Sequence, residues 1–120
     1  MIRVGLIGFG LGGAAFHAPF IASTPRLALT AIVTRDPERR ALAQRAYPRA
    51  TLVDDASELW EKGMVDLVVV STSNRSHAPL ARAALEAGVP VVLDKPMAVT
   101  AAEAIDLITV AADRQLLLTV

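Results

Sequence analysis

The sequence predicts an α/β protein: a doubly wound parallel sheet with strand order 3-2-1-4-5-6, held between two helical layers. Three observations lead there. Short apolar runs rich in β-branched residues alternate with stretches that carry helix start and stop signals, over all 120 residues. The first such run, Ile2 to Ile7, ends in Gly8-Phe9-Gly10-Leu11-Gly12-Gly13, which fits G-x-G-x-x-G. Hydrophobic residues make up 53% of the chain and the mean hydropathy is +0.46, enough apolar surface to bury a sheet on both faces. Strand–helix alternation implies right-handed β-α-β units, and residues 1–120 read as one domain.

The elements follow in order. Leu11 to Ala22 is expected to be helical with a break near His17-Ala18, where Pro19 opens a new turn. Leu27 to Val33 is the second strand. Asp36 is suited to cap the next helix, with Pro37 in its first position and Glu38 in its first turn; this helix runs to about Ala46, short of Pro48. Thr51 to Val53 is a third strand, and Ser57 to Lys62 a brief helix ended by Gly63. Val65 to Val70 reads as a central strand. A polar loop, Ser71 to Ser76, then leads into a helix from His77 to Ala87, with Pro79 in its first turn. Val89 to Leu93 is the fifth strand, and Asp94 to Met97 the loop after it. Thr100 and Glu103 form a capping box for a helix from Ala101 to about Arg114, and Leu116 to Val120 begins a sixth strand.

Composition excludes several classes. Twelve basic and twelve acidic residues balance, so nothing points to a nucleic-acid or anionic-membrane surface. There is no cysteine, hence no disulfide or thiolate chemistry, which suits a cytoplasmic protein. The opening strand is broken by glycines too early for a signal peptide, and no apolar segment reaches membrane-spanning length. His17 and His77 and the scattered carboxylates lack metal-ligand spacing, so no metal site is expected. The serines at 71, 73 and 76 lack a nucleophile-elbow context.

The glycine motif, set between a strand and a helix, points to a dinucleotide. Gly8 makes the turn, Gly10 lets the backbone approach a pyrophosphate, and Gly13 lets the helix pack close to the strand. In such sheets ligands lie outside the carboxyl ends of the strands, where the order reverses. That gathers Gly8, Phe9, Gly10, Leu11, Gly12 and Gly13 with Thr34 and Arg35, with Ser71, Thr72, Ser73 and Asn74, and with Asp94, Lys95 and Pro96. At the second strand's end, an acid would select the ribose of NAD, whereas an arginine beside a small residue would accept the 2′-phosphate of NADP. With Asp36 assigned to the helix cap, Thr34 and Arg35 face the ribose, and NADP is favoured over NAD. Lys95, one of two lysines, reads equally on spacing as a group that orients the nicotinamide or a substrate hydroxyl and as a loop lysine paired with Asp94. His17 and His77 both read first as locally satisfied residues near helix ends.

With these residues placed, the chain resembles the N-terminal cofactor domain of the Gfo/Idh/MocA oxidoreductases. The likeness is to the branch whose glycine turn runs on into F-H-A-P, here Phe16-His17-Ala18-Pro19. It rests also on Thr34-Arg35-Asp36-Pro37-Glu38-Arg39, Thr72-Ser73-Asn74-Arg75-Ser76-His77, Ala84 to Gly88 and Asp94-Lys95-Pro96. The resemblance implies that Lys95, in a D-K-P version of the family's E-K-P, takes part in catalysis at the nicotinamide. It implies that Asn74 and its neighbours line the cofactor, and that His77 marks a helix start beside it; Ser73 stands where the family has proline. It further implies a second α/β domain, absent from these 120 residues, that completes the pocket for a sugar-like or polyol substrate. On that reading the chain alone binds dinucleotide without useful turnover, and its uncovered surface favours homo-oligomers. Two other readings are a stand-alone NAD(P) sensor and a domain for another nucleotide such as S-adenosylmethionine, which the D-K-P loop argues against.

Overall fold

In the computed structural model, which describes residues 1–120, the chain forms six strands and five α-helices. The strands are β1 (Ile2–Ile7), β2 (Leu27–Val33), β3 (Thr51–Val53), β4 (Leu67–Val70), β5 (Val91–Leu93) and β6 (Leu118–Thr119). All neighbours pair in parallel, and the order is β3-β2-β1-β4-β5-β6, as the sequence predicts. The helices are α1 (Ala18–Ser23), α2 (Pro37–Ala46), α3 (Ser57–Glu61), α4 (Asn74–Glu86) and α5 (Ala101–Asp113). None is long and apolar enough to cross a membrane.

Side chains alternate between two cores, one on each face of the sheet. Ile7, Val33, Val68, Val70, Val91 and Leu93 pack with Leu59 of α3, Ala81 and Leu85 of α4, and Leu107 of α5. Val4, Leu6, Ile32 and Val69 pack on the other face with Ala18 and Ile21 of α1 and Ala43 of α2. Burial of a leucine or valine of this kind stabilises by about 1.5–3 kcal/mol. Gly13 lies where α1's approach meets β1, and a Cβ there would collide with the Gly8 carbonyl.

Register sets the site. Ile7 pairs with Val33 and with Val70, Val70 with Leu93, and Val33 with Val53, so five strands end in one row. The next residue on four of them is still tied to its neighbour: Gly8 N–H donates to Val33 O (3.0 Å), Thr34 N–H to Val53 O (3.2 Å), Ser71 N–H to Ile7 O (2.9 Å) and Asp94 N–H to Val70 O (2.9 Å). The loops that carry the predicted site thus start from a fixed edge.

Several elements differ from the sequence expectation: β4 begins at Leu67 rather than Val65 and β6 at Leu118 rather than Leu116, and three further differences bear on the site. The helix expected from Leu11 opens as a π-type turn, Gly12–His17, in which Ala18 N–H reaches back to Gly13 O; the break falls at His17-Ala18 as expected, and α1 begins at Ala18 with Pro19 in its first turn. A π turn holds one residue more than an α turn, and Pro19 has no N–H with which to continue the earlier register. Next, α4 starts at Asn74 rather than His77. Ser76 directs both its N–H (3.0 Å) and its hydroxyl (2.8 Å) to Ser73 O, and that hydroxyl also meets Thr72 Oγ1 at 2.6 Å. The polar loop therefore closes as a helical turn, and Pro79 falls inside the helix. Finally, β5 begins at Val91, because Pro90 has no N–H to give the ladder.

Candidate functional site

A crevice of about 630 Å³ opens along the carboxyl ends of β1 and β2, bounded by Gly8, Phe9, Thr34, Arg35, Arg39 and, across it, Thr72. Gly8 has φ +100°, a conformation open to glycine, and a Cβ there would strike the Ser71 carbonyl oxygen. Gly10 differs in kind. A Cβ on Gly10 would meet nothing of the protein nearer than 3.7 Å, and those nearest atoms belong to the Arg39 guanidinium. Its smallness is therefore not required by packing within the chain; it leaves room beside a cation. Phe9 is 3% exposed and its ring stands edge-on to Tyr47, so it faces the core and offers the crevice its backbone. Leu11 is exposed and Gly12 partly so.

At the β2 end, Asp36 caps α2 by accepting Arg39 N–H at 2.9 Å. This is the cap that the sequence assigns. Arg35 donates Nε–H to Asp54 O at 2.9 Å and lies 3.5 Å from Asp55. Asp55 is held below its ordinary value chiefly by the Ser57 main-chain and side-chain groups. Arg40 bridges Thr34 O and Asp54, both at 2.8 Å, and Thr34 itself is buried. Arg39 alone of these three arginines has its guanidinium in no hydrogen bond or ion pair. Sequence reasoning did not single it out as a site residue. The available signal was position: a cation in the first turn of a helix sits at the unfavourable end of the helix dipole.

At the β4–β5 end the groups are more enclosed. Ser71 is buried and donates its hydroxyl to Asp94 Oδ2 at 3.2 Å; Asp94 Oδ1 accepts Lys95 N–H at 3.1 Å. His17 Nε2 stands 3.4 Å from Asp94 Oδ2. Burial works to raise the Asp94 carboxyl, but the His17 ring, the Ser71 hydroxyl and the Lys95 N–H outweigh it and hold it below its ordinary value. Asp94 thus accepts the Ser71 hydroxyl and the Lys95 N–H and faces His17, and the Lys95 ammonium, exposed, makes no bond to it. This removes the reading of Lys95 as a lysine paired with Asp94.

His77 is 1% exposed, with Nδ1 2.7 Å from Pro96 O and Nε2 3.1 Å from Thr72 O. It ties the loop after β4 to the loop after β5, one turn inside α4 rather than at its start. Both ring nitrogens face main-chain carbonyls, so its bearing on the crevice is through those loops. Ser73 stands at the α4 cap position without a side-chain cap bond, and Asn74 opens the helix, exposed. Pro96 follows a cis peptide bond. A second cavity, about 410 Å³ and lined by Met1, Leu27, Leu29, Tyr47 and Pro48, lies at the other end of β2 and is mainly apolar.

The arrangement is that of a dinucleotide-binding domain: a glycine turn at the sheet's switch point, an arginine-bearing end after β2, and a lysine loop after β5. Residues 2–120 match the family described as oxidoreductase family, NAD-binding Rossmann fold, and the chain belongs to that Gfo/Idh/MocA family. It is 46% identical over 106 residues to the uncharacterized oxidoreductase YdgJ of Escherichia coli, covering 88% of this chain and 30% of that protein. It is 33% identical over 119 residues to the scyllo-inositol 2-dehydrogenase (NADP(+)) IolW of Bacillus subtilis, covering 99% and 32%. A Klebsiella pneumoniae crystal structure superposes with a TM-score of 0.92 at 41% identity, covering 99% of this chain and 34% of that one. The chain therefore spans about a third of the length of these relatives.

Proposed function

We propose that this domain binds NADP(H) in preference to NAD(H) and presents the nicotinamide to Lys95. Within a longer protein it would be the cofactor domain of a dehydrogenase acting on a hydroxyl or carbonyl of a sugar-like or polyol substrate. One observation carries the cofactor choice: the Asp36 carboxylate is engaged by Arg39 N–H, while the Arg39 guanidinium is unpaired beside the open space at Gly10. Turning Asp36 toward a ribose would sacrifice a cap worth about 1 kcal/mol. A phosphate beside Arg39 would instead neutralise a cation that the α2 dipole disfavours. The NADP(+) in IolW's name supports the same choice, and its inositol substrate supports the polyol class.

The cofactor, when bound, supplies the hydride chemistry. The chain's own groups orient it and handle the proton. The turn after Gly8 gives backbone N–H groups toward phosphate. Lys95, unpaired on a loop anchored by Asp94 and by His77, can donate a hydrogen bond to a substrate oxygen or take part in moving its proton. The remaining substrate contacts would come from a further domain of such a longer protein. Exposed Ile105, Ile108, Val99 and Leu117 favour self-association of the 120-residue chain, for which light scattering should detect species larger than a monomer.

Calorimetric titration with NADPH and then NADH in one low-salt buffer tests the proposal. NADPH should bind at least tenfold tighter, and Arg39→Ala or Arg35→Ala should each reduce that preference by about tenfold or more. Equal or tighter NADH binding, indifferent to both arginines, would overturn the NADP assignment and make Asp36 the ribose ligand.

A further inference from the structure

We infer that His17 is a positioning residue for Lys95, acting through Asp94 to tie the end of the glycine turn to the lysine loop. The inference rests on the reading of Lys95 as the group at the nicotinamide end of the crevice.

Three segments meet at Asp94. One carboxylate oxygen holds the Lys95 N–H, which fixes the backbone from which the lysine springs. The other takes the Ser71 hydroxyl and faces His17 Nε2 at 3.4 Å. That nitrogen is buried and has no hydrogen-bond partner. A buried polar atom left without a partner costs about 1–3 kcal/mol, so its aim at a carboxylate calls for an explanation. The gap exceeds an ordinary N–H···O length by only about 0.5 Å. A slight approach of turn and loop would complete the bond.

The local backbone is shaped for this contact. His17 ends the π-type turn, and the extra residue there rotates its side chain by about 100° from the direction an α turn would give. Gly12, in the same turn, lies so close that a Cβ would come within 2.7 Å of Ser71 Oγ and 3.2 Å of Asp94 Oδ2. The turn therefore rests directly on the Ser71–Asp94 pair. Neither His17 nor Asp94 enters any other ion pair, so nothing else of that kind competes for this contact between the two segments.

The 120-residue chain is titrated with NADPH and with adenosine 2′,5′-bisphosphate, which lacks the nicotinamide, while the nicotinamide fluorescence is followed. His17→Phe and Asp94→Asn should each weaken NADPH about tenfold and reduce its fluorescence gain, with bisphosphate binding unchanged. His17→Gln, which keeps an N–H donor, should recover most of the loss. In a Lys95→Met background, His17→Phe should have no further effect. Asp94→Asn carries the test should His17→Phe fail to fold. The inference is overturned if both ligands weaken equally, if the variants match the wild type, or if His17→Phe costs as much without Lys95 as with it. A wild-type chain that binds neither ligand would overturn the cofactor reading itself, and the inference with it.

Discussion

The loops at the two ends of the row of strand ends, after β2 and after β4 and β5, are built differently. At the β2 end the polar groups are long, exposed side chains: Arg35 is 74% exposed at its side chain, and Arg39 has no partner. At the β4–β5 end they are short or buried and are tied to main chain or to each other: the His77 ring lies between two carbonyls, Asp94 accepts the Lys95 N–H, and Ser71 donates its hydroxyl to the Asp94 carboxylate. The exposed end can be retuned by one substitution with little effect on the fold. The enclosed end has its geometry set by hydrogen bonds that the fold itself needs. That division suits a domain in which selectivity for the cofactor and positioning for chemistry are separate tasks.

Several changes would break or sharpen this contrast. Gly8→Val, at the junction of the two ends, forces a side chain into a φ of +100° and against the Ser71 carbonyl. It should cost about 3 kcal/mol or more of stability and abolish NADPH binding, as thermal unfolding and titration would report. Lys95→Met should leave the melting temperature unchanged, since the ammonium has no partner to lose. In a longer dehydrogenase of the kind proposed, the same change should lower turnover by about 100- to 10,000-fold. His77→Ala removes a buried tie and takes the ring's N–H from the Thr72 and Pro96 carbonyls, so the isolated domain should lose about 1–3 kcal/mol even without cofactor. Stability unchanged in His77→Ala would erase the contrast between the ends.

A control lies away from both ends. Asp66 accepts the Arg3 main-chain N–H and is paired with its guanidinium, which together hold the Asp66 carboxyl down at about 2, against an ordinary 3.8. Its folded value is depressed, so this stabilisation is fully present above about pH 4 and is lost as pH falls toward 2. Asp66→Asn should flatten that acid limb in a series of melting curves, by a small amount because the pair is exposed. Cofactor selectivity should not move.

Much of the fold was legible because its signals are local. The alternation of apolar and helical stretches predicts the observed strand order, and Asp36 caps α2 as its place before Pro37 indicates. The Thr100–Glu103 box is half formed: Thr100 Oγ1 accepts Glu103 N–H at 3.2 Å, but the Glu103 carboxylate accepts from Val99 N–H rather than from the cap residue. What the sequence could not reveal depends on partners far along the chain. His77 finds Pro96 nineteen residues on, and His17 meets Asp94 only because β1 and β5 end in the same row. Arg39 was in plain view within Thr34-Arg35-Asp36-Pro37-Glu38-Arg39, yet its lack of an acid partner is a tertiary fact. The π-type turn escapes the sequence because 3.6-residue periodicity does not register a single added residue.

The central claim is that one dinucleotide spans the crevice from Arg39 to Lys95. The most direct test is to map backbone amide shifts in nitrogen-labelled protein as NADPH is added. The account predicts one contiguous set of perturbed residues: Gly8 to Gly13, Thr34 to Asp36, Arg39, Ser71 to Asn74, and Asp94 with Lys95. Shifts confined to the apolar cavity around Leu29 and Tyr47, or a response at the arginines with none at Lys95, would contradict it.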